Sequence, residues 1–143
     1  MSLTTPTTHP RTPTTPVTWL RRILLLDAVV TGANGLAYLA VSGPLADELG
    51  MDRGLLLGLG AFLLVYGAVV GYVGLRPSPP PGAVAAFIDI NLAWTVASIV
   101  AIVAWLDPSD TGTIWIPLQA AVTAAFAAAQ WVMLRRIRQM GAI

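Results

Sequence analysis

The sequence predicts an all-α polytopic membrane protein, four transmembrane helices in an up-down-up-down bundle, and three observations carry that prediction. Hydrophobic residues make up 56% of the 143 positions and charged residues only 10%, against about 25% charged in an ordinary soluble domain. Four apolar stretches, residues 20–41, 54–75, 83–106 and 113–135, are separated by segments rich in Pro, Gly and Asp. At ~1.5 Å per residue, about 20 residues of helix cross the ~30 Å hydrocarbon layer of a bilayer. The arginines then set an orientation. Arg11, Arg21, Arg22, Arg76, Arg135, Arg136 and Arg138 fall on one side of the implied membrane and only Arg53 on the other. By the positive-inside rule both termini and the Pro-rich loop are cytoplasmic, and eight Arg with no Lys, beside the Ala, Gly and Pro content, suggest a GC-rich bacterial source and so an inner membrane.

Residues 1–17 alternate Thr and Pro with no apolar periodicity, which predicts a disordered cytoplasmic tail. It is a solvated leader, or a docking or phosphorylation segment. Residues 18–138 form the transmembrane domain and 139–143 a short cytoplasmic tail. Trp19, Arg21 and Arg22 precede the first span, as an interfacial aromatic with two positive charges does at a cytoplasmic edge. A rival reading takes Arg21-Arg22, the apolar run and Ala40-Val41-Ser42 as a cleavable secretory signal. Asp27, Asn34 and an apolar run longer than the roughly 7–15 residues of a signal core argue against it.

The first span, 20–41, carries Asp27, Thr31, Asn34 and Tyr38 at offsets of 4, 7 and 11 residues, which stacks them on one helical face. Gly43-Pro44 reads as its stop, and the loop to Arg53 is acidic through Asp47, Glu48 and Asp52. The second span, 54–75, aligns Gly60, Gly67, Gly71 and Gly74, small residues that let another backbone approach closely, within the chain or in a homo-oligomer. Arg76-Pro77 and the prolines after it end that helix. The third span, 83–106, places Asn91, Thr95 and Ser98 on one face with Trp94 at its border. After the Asp107-Pro108 turn, the fourth span, 113–135, carries Gln119, Thr123, Phe126 and Gln130 at the same offsets as the first. Ala120, Ala124 and Ala128 make a second small-residue stripe there. Trp105 and Trp115 flank the outer loop, while Trp19 and Trp131 lie near the inner edge, as in aromatic belts.

The two hairpins share a layout: Asp near the cytoplasmic start, Asp27 or Asp89, an acidic outer loop, and a return span ending in Arg. A tandem duplication of one hairpin accounts for it. Straight antiparallel helices put Asp27 level with Gln130, Asn34 with Thr123 and Tyr38 with Gln119, so three spans can point polar groups at one seam. Asp89 is two residues, about 200°, from Asn91 and cannot join it. Two readings stand for each carboxylate. An intramembrane acid costs ~2.5–3.5 kcal/mol at the bilayer centre, which marks a proton or cation site. Otherwise Asp27 is held by Gln130 or Asn91, or pairs with Arg22 or Arg136, and specifies packing.

Several functions are excluded. The chain has no Cys and a single His, His9, in the tail, so disulfides, thiolate metal sites and bis-His haem are ruled out. No metal and no cofactor are expected. The glycines of the second span are not followed by Lys, so there is no phosphate loop. No nucleophile and base pair can be assembled, so the chain is expected not to be an enzyme. The arginines cluster at a membrane edge rather than on a soluble face, which disfavours nucleic acid. The expected partners are the lipid bilayer and either a second copy or a larger membrane complex.

The segments WLRRILLLDAVVTGANGLAYL, GAFLLVYGAVVGYVGLRP and WVMLRRIR resemble the small four-helix integral membrane proteins common in actinobacteria. The resemblance covers residues 19–138. More distantly the chain is similar to DoxX-type four-helix proteins, which implies an accessory role. It is also similar to small multidrug transporters, which implies a working carboxylate in the first span; here that carboxylate is Asp27 rather than Glu, with a second acid at Asp89. Three functions follow. The leading one is a non-enzymatic accessory or scaffold membrane protein whose polar seam specifies packing. The second is a homo-oligomeric proton- or cation-coupled transporter or channel, with Asp27, Asn34, Asp89, Asn91 and Gln130 as ligand or ion-binding residues. The third is a lipid or isoprenoid-binding protein whose pocket is lined by Thr31, Tyr38, Trp94, Thr95, Ser98, Gln119 and Thr123.

Overall fold

The computed structural model describes residues 15–104 and 106–141. It contains α1 (Pro16–Ala40), α2 (Ser42–Leu49), α3 (Arg53–Leu75), α4 (Pro81–Ala104) and α5 (Asp110–Gln139). All but α2 are long and apolar enough to cross a membrane, and no strand occurs among the described residues. The protein is a four-helix membrane bundle. The Trp105 belt position and most of the Thr/Pro tail, with His9 and Arg11, lie outside the described residues.

Each helix starts where the chain can satisfy its free N–H groups. Thr15 caps α1 by accepting from the Thr18 N–H at 3.4 Å, with Pro16 in the first position. Asp52 caps α3 through Leu55 N–H at 2.8 Å, and Ser109 caps α5 through Gly112 N–H at 3.1 Å. Asp110 in the first turn of α5 and Arg136 and Arg138 in its last turn complement the helix dipole. Pro117 sits inside α5 and is tolerated there with its ring exposed.

Gly43-Pro44 does not end the structure at 42. The break falls at Val41, and Ser42 opens a second short helix with Pro44 in its first turn, where a missing N–H costs nothing. Gly50, at φ 65°, then reverses the chain into α3. A side chain there is strained and would also strike Ser109. Helix α2 is tied down from the opposite loop. Ser109 donates its N–H to the Leu49 carbonyl at 3.2 Å and its hydroxyl to the Glu48 carbonyl, and the Thr111 hydroxyl donates to Glu48 Oε1 at 2.9 Å. Together these residues plug the end of the bundle that carries the acidic loops.

The helices ring the axis in the order α1, α3, α4, α5. The α1/α3 contact is the closest. Gly67 approaches the Gly32 backbone and the Ala28 carbonyl so nearly that an added Cβ would lie 3.0–3.1 Å from them, and Gly60 meets Gly35 and Tyr38 in the same way. Gly74 faces Leu24, and Gly71 touches Ala28. The glycine face of α3 is therefore spent inside the monomer. On α5, Ala120 is buried, Ala124 is half-buried and Ala128 faces outward. The α3/α4 edge is the loosest, bridged by side chains, with the Phe62 and Trp94 rings stacked at 5.9 Å.

Apolar packing divides in two along the axis. Leu20, Leu24, Val70, Val73, Val84, Phe87, Leu134 and Ile137 fill the arginine end. Tyr38, Ala46, Leu49, Leu56 and Leu63 form a smaller cluster at the acidic end.

Candidate functional site

Between those clusters the polar faces of α1, α4 and α5 converge. Asp27 is wholly buried at 0% exposure, five residues beyond Arg22 along α1. Its Oδ1 accepts from the Thr31 hydroxyl at 3.0 Å. Its Oδ2 accepts from Gln130 Nε2 at 2.7 Å and from Asn91 Nδ2 at 3.0 Å. All three donors are neutral, and neither Arg22 nor Arg136 supplies the partner. Arg22 lies over the Trp19 ring, and its neighbour Arg21 donates to the Gly74 and Leu75 carbonyls at the membrane edge. The Tyr66 hydroxyl reaches Asn91 Oδ1 and the Phe87 carbonyl at 3.4 Å each, so α3 closes the ring around the carboxylate.

Towards the acidic end the same seam separates around a cavity of about 380 Å³. One wall is a ladder between α1 and α5. Asn34 Nδ2 donates to Gln119 Oε1 at 3.0 Å, and Trp115 Nε1 donates to the Tyr38 hydroxyl at 2.9 Å. Behind it, the Thr95 and Thr123 hydroxyls meet at 2.8 Å and turn back to the Ala120 carbonyl. The other wall is apolar: Leu55, Leu59, Phe62 and Leu63 of α3, and Ile90, Trp94 and Ala97 of α4. Leu55, Phe62 and Ile90, which line the cavity from α3 and α4, are also exposed. Met51, just after α2, and Leu106, beyond α4, line it at the acidic end.

Two expected pairings are shifted by one turn. Asn34 meets Gln119 rather than Thr123, and Tyr38 meets Trp115 rather than Gln119. Thr123 is turned to Thr95 on α4, so the face of α5 that α1 sees at this level begins four residues nearer its N-terminus. Asp89 is exposed on the outer side of α4 and takes no part in the Asp27 cluster, because the 200° that separates it from Asn91 carries it to the opposite face. Ser98 and Trp94 line the cavity, as does Phe126.

Sequence reasoning missed Tyr66, Phe62 and Trp115. Tyr66 reads as a packing or interfacial tyrosine, and Trp115 as part of an aromatic belt. The available signal for Tyr66 was its place near the middle of α3, where an interfacial anchor has no interface to reach. No cluster of three or more His, Cys, Asp or Glu that could hold a metal occurs among the described residues. No protein-family model matches the chain, and comparison with curated proteins and with solved structures finds no similar chain.

Proposed function

We propose that this integral membrane protein is a non-enzymatic binding protein for a neutral amphiphile, held in the cavity within the bilayer and admitted sideways between α3 and α4. The observation that carries this reading is the pairing of an open cavity with unspent hydrogen-bonding groups on one wall. Asn34 and Gln119 use one group each on one another, which leaves Gln119 Nε2 as a donor and Asn34 Oδ1 as an acceptor. Tyr38 accepts from Trp115, so its own proton points elsewhere. A volume of about 380 Å³ lies within the ~300–1,000 Å³ range of small-molecule sites. The lining contains no Asp, Glu, Arg, Lys or His, so a charged head would be buried without a counter-ion at a cost of several kcal/mol. A hydroxyl or carbonyl head on an isoprenoid-like or alkyl body fits both walls.

The distribution of arginines supports a bacterial inner-membrane orientation with the arginine end cytoplasmic, which sets the portal near the outer leaflet. The accessory-protein expectation is retained within this reading: such a protein presents or stores a lipid rather than converting it.

The test is quenching of tryptophan fluorescence in detergent by a spin-labelled long-chain alcohol, compared with the matching carboxylate and phosphate. Trp94 and Trp115 line the cavity, so saturable quenching by the alcohol alone is expected. Quenching that merely follows micelle partitioning, equal for all three probes, sinks the reading.

A further inference from the structure

The Asp27 centre contains a feature that packing does not account for. Among the described residues, Gln130 Oε1 is a buried side-chain polar atom without a hydrogen-bond partner, and Gln130 is 0% exposed. A buried orphan acceptor costs about 1–3 kcal/mol and calls for a missing donor, water or ion. Here it belongs to the same amide whose nitrogen touches Asp27 Oδ2 at 2.7 Å, so an unsatisfied oxygen lies beside a buried carboxylate. Asn91 repeats the arrangement. Its nitrogen meets Asp27 Oδ2 at 3.0 Å while its oxygen receives only a long 3.4 Å contact from Tyr66. Thr31 adds a hydroxyl oxygen on the other side.

The geometry points to a binding site for one small monovalent cation, of sodium's size, formed by the Asp27 carboxylate, the side-chain oxygens of Gln130 and Asn91, and the Thr31 hydroxyl. Hard cations take oxygen ligands of this kind. One carboxylate balances a single positive charge, whereas divalent sites recruit several. An amide suits both partners, since its nitrogen holds the carboxylate while its free oxygen is left for the ion. The ion also removes the cost of a lone charge buried in the bilayer, where the three groups now holding it are neutral. This site lies at the arginine-end limit of the cavity and does not depend on what the cavity holds.

The experiment is thermal unfolding of the full chain in a neutral detergent with sodium, potassium or choline chloride at equal ionic strength and fixed pH, with the ²³Na line width measured in parallel. Sodium at a hundredfold excess over its dissociation constant is expected to raise the midpoint by about 5 °C or more relative to choline. It should also broaden the ²³Na line. Asp27→Asn is expected to abolish both effects. Gln130→Met keeps the length of the side chain and removes its oxygen, and it should weaken sodium's effect at least tenfold even where Asp27→Asn does not fold. Equal midpoints in sodium and choline overturn the site, as does a sodium effect that survives in Gln130→Met at full size.

Discussion

The two halves of the polar seam are built from the same residue types and end differently. At the arginine end, Asp27 gathers Thr31, Asn91 and Gln130 into a closed, buried cluster. At the acidic end, Asn34, Gln119, Tyr38 and Trp115 pair off along one wall and leave a cavity in front of them. The difference lies in what α3 and α4 contribute. Near Asp27, α4 supplies Asn91 and α3 supplies Tyr66, both of which reach inward. About one to three turns further on, α4 offers Ala97, Ser98 and Ala101 and α3 offers leucines. The α3 leucines have nothing to give the ladder, and the α4 hydroxyl that is engaged at this level, Thr95, turns to Thr123 behind it, so the space in front stays open. A carboxylate needs several donors and draws helices together, whereas two amides bonded once to one another, each with a group left over, tie only the two helices that carry them.

The sharpest way to break the comparison is to remove the centre of the closed half. Asp27→Leu leaves three donors without their acceptor and is expected to destabilise the fold by about 3 kcal/mol, summing roughly 0.6–1.7 kcal/mol per intramembrane bond. Unfolding by SDS in mixed micelles measures it. A loss under about 1 kcal/mol would mean that the cluster does not organise the bundle. Next comes volume. Ala127 is buried in the closed half, and Ala127→Phe should cost about 1–3 kcal/mol by overpacking. Ala97→Phe projects the same ring towards the cavity and should cost less than half as much while blocking the spin-labelled alcohol.

The third prediction separates binding from folding. Gln119→Leu is expected to change stability by less than about 1 kcal/mol but to weaken alcohol binding about tenfold, the equivalent of one hydrogen bond. Titrating the quencher against both proteins decides it. The smallest effect is expected at Asp89. Asp89→Asn should leave the SDS midpoint unchanged, because this side chain is exposed on the outer face of α4 and bonds nothing in the cluster. A loss comparable to that of Asp27→Leu would place Asp89 in a contact between chains.

The convergence on Asp27 was legible because helical periodicity is local. Offsets of four and seven residues place Thr31 and Asn34 on the face of Asp27 whatever surrounds the helix. The 200° between Asp89 and Asn91 likewise separates two nearby polar residues without knowledge of the fold. The outer pairings were not legible at residue level, because equal depth assumes straight helices with fixed facing sides. Thr123 turned to Thr95 instead, and Asn34 took the next turn of α5. Helix α2 was hidden by Gly43-Pro44, a pair that stops a helix in mid-course but is harmless in the first turn of a new one. Composition does not distinguish those positions.

What the chain determined by itself is the number of long helices, the polar faces and the distribution of charge, because each follows from spacing along one helix or from the cost of polar groups in lipid. The helix ends differ: α1 starts at Pro16, inside the expected tail, and α5 runs from Asp110 to Gln139, beyond the expected span at both ends. What only the tertiary structure decided is which helix each face meets. The glycines of α3 were spent on α1 rather than on a second chain, and the loosest edge fell between α3 and α4. It also decided that half of the seam closes while half stays open. Those outcomes depend on rotations and approaches between helices that are distant in sequence. There a single backbone contact, Gly67 against Gly32, outweighs any local preference, since close packing is the main attraction between helices already dissolved in lipid.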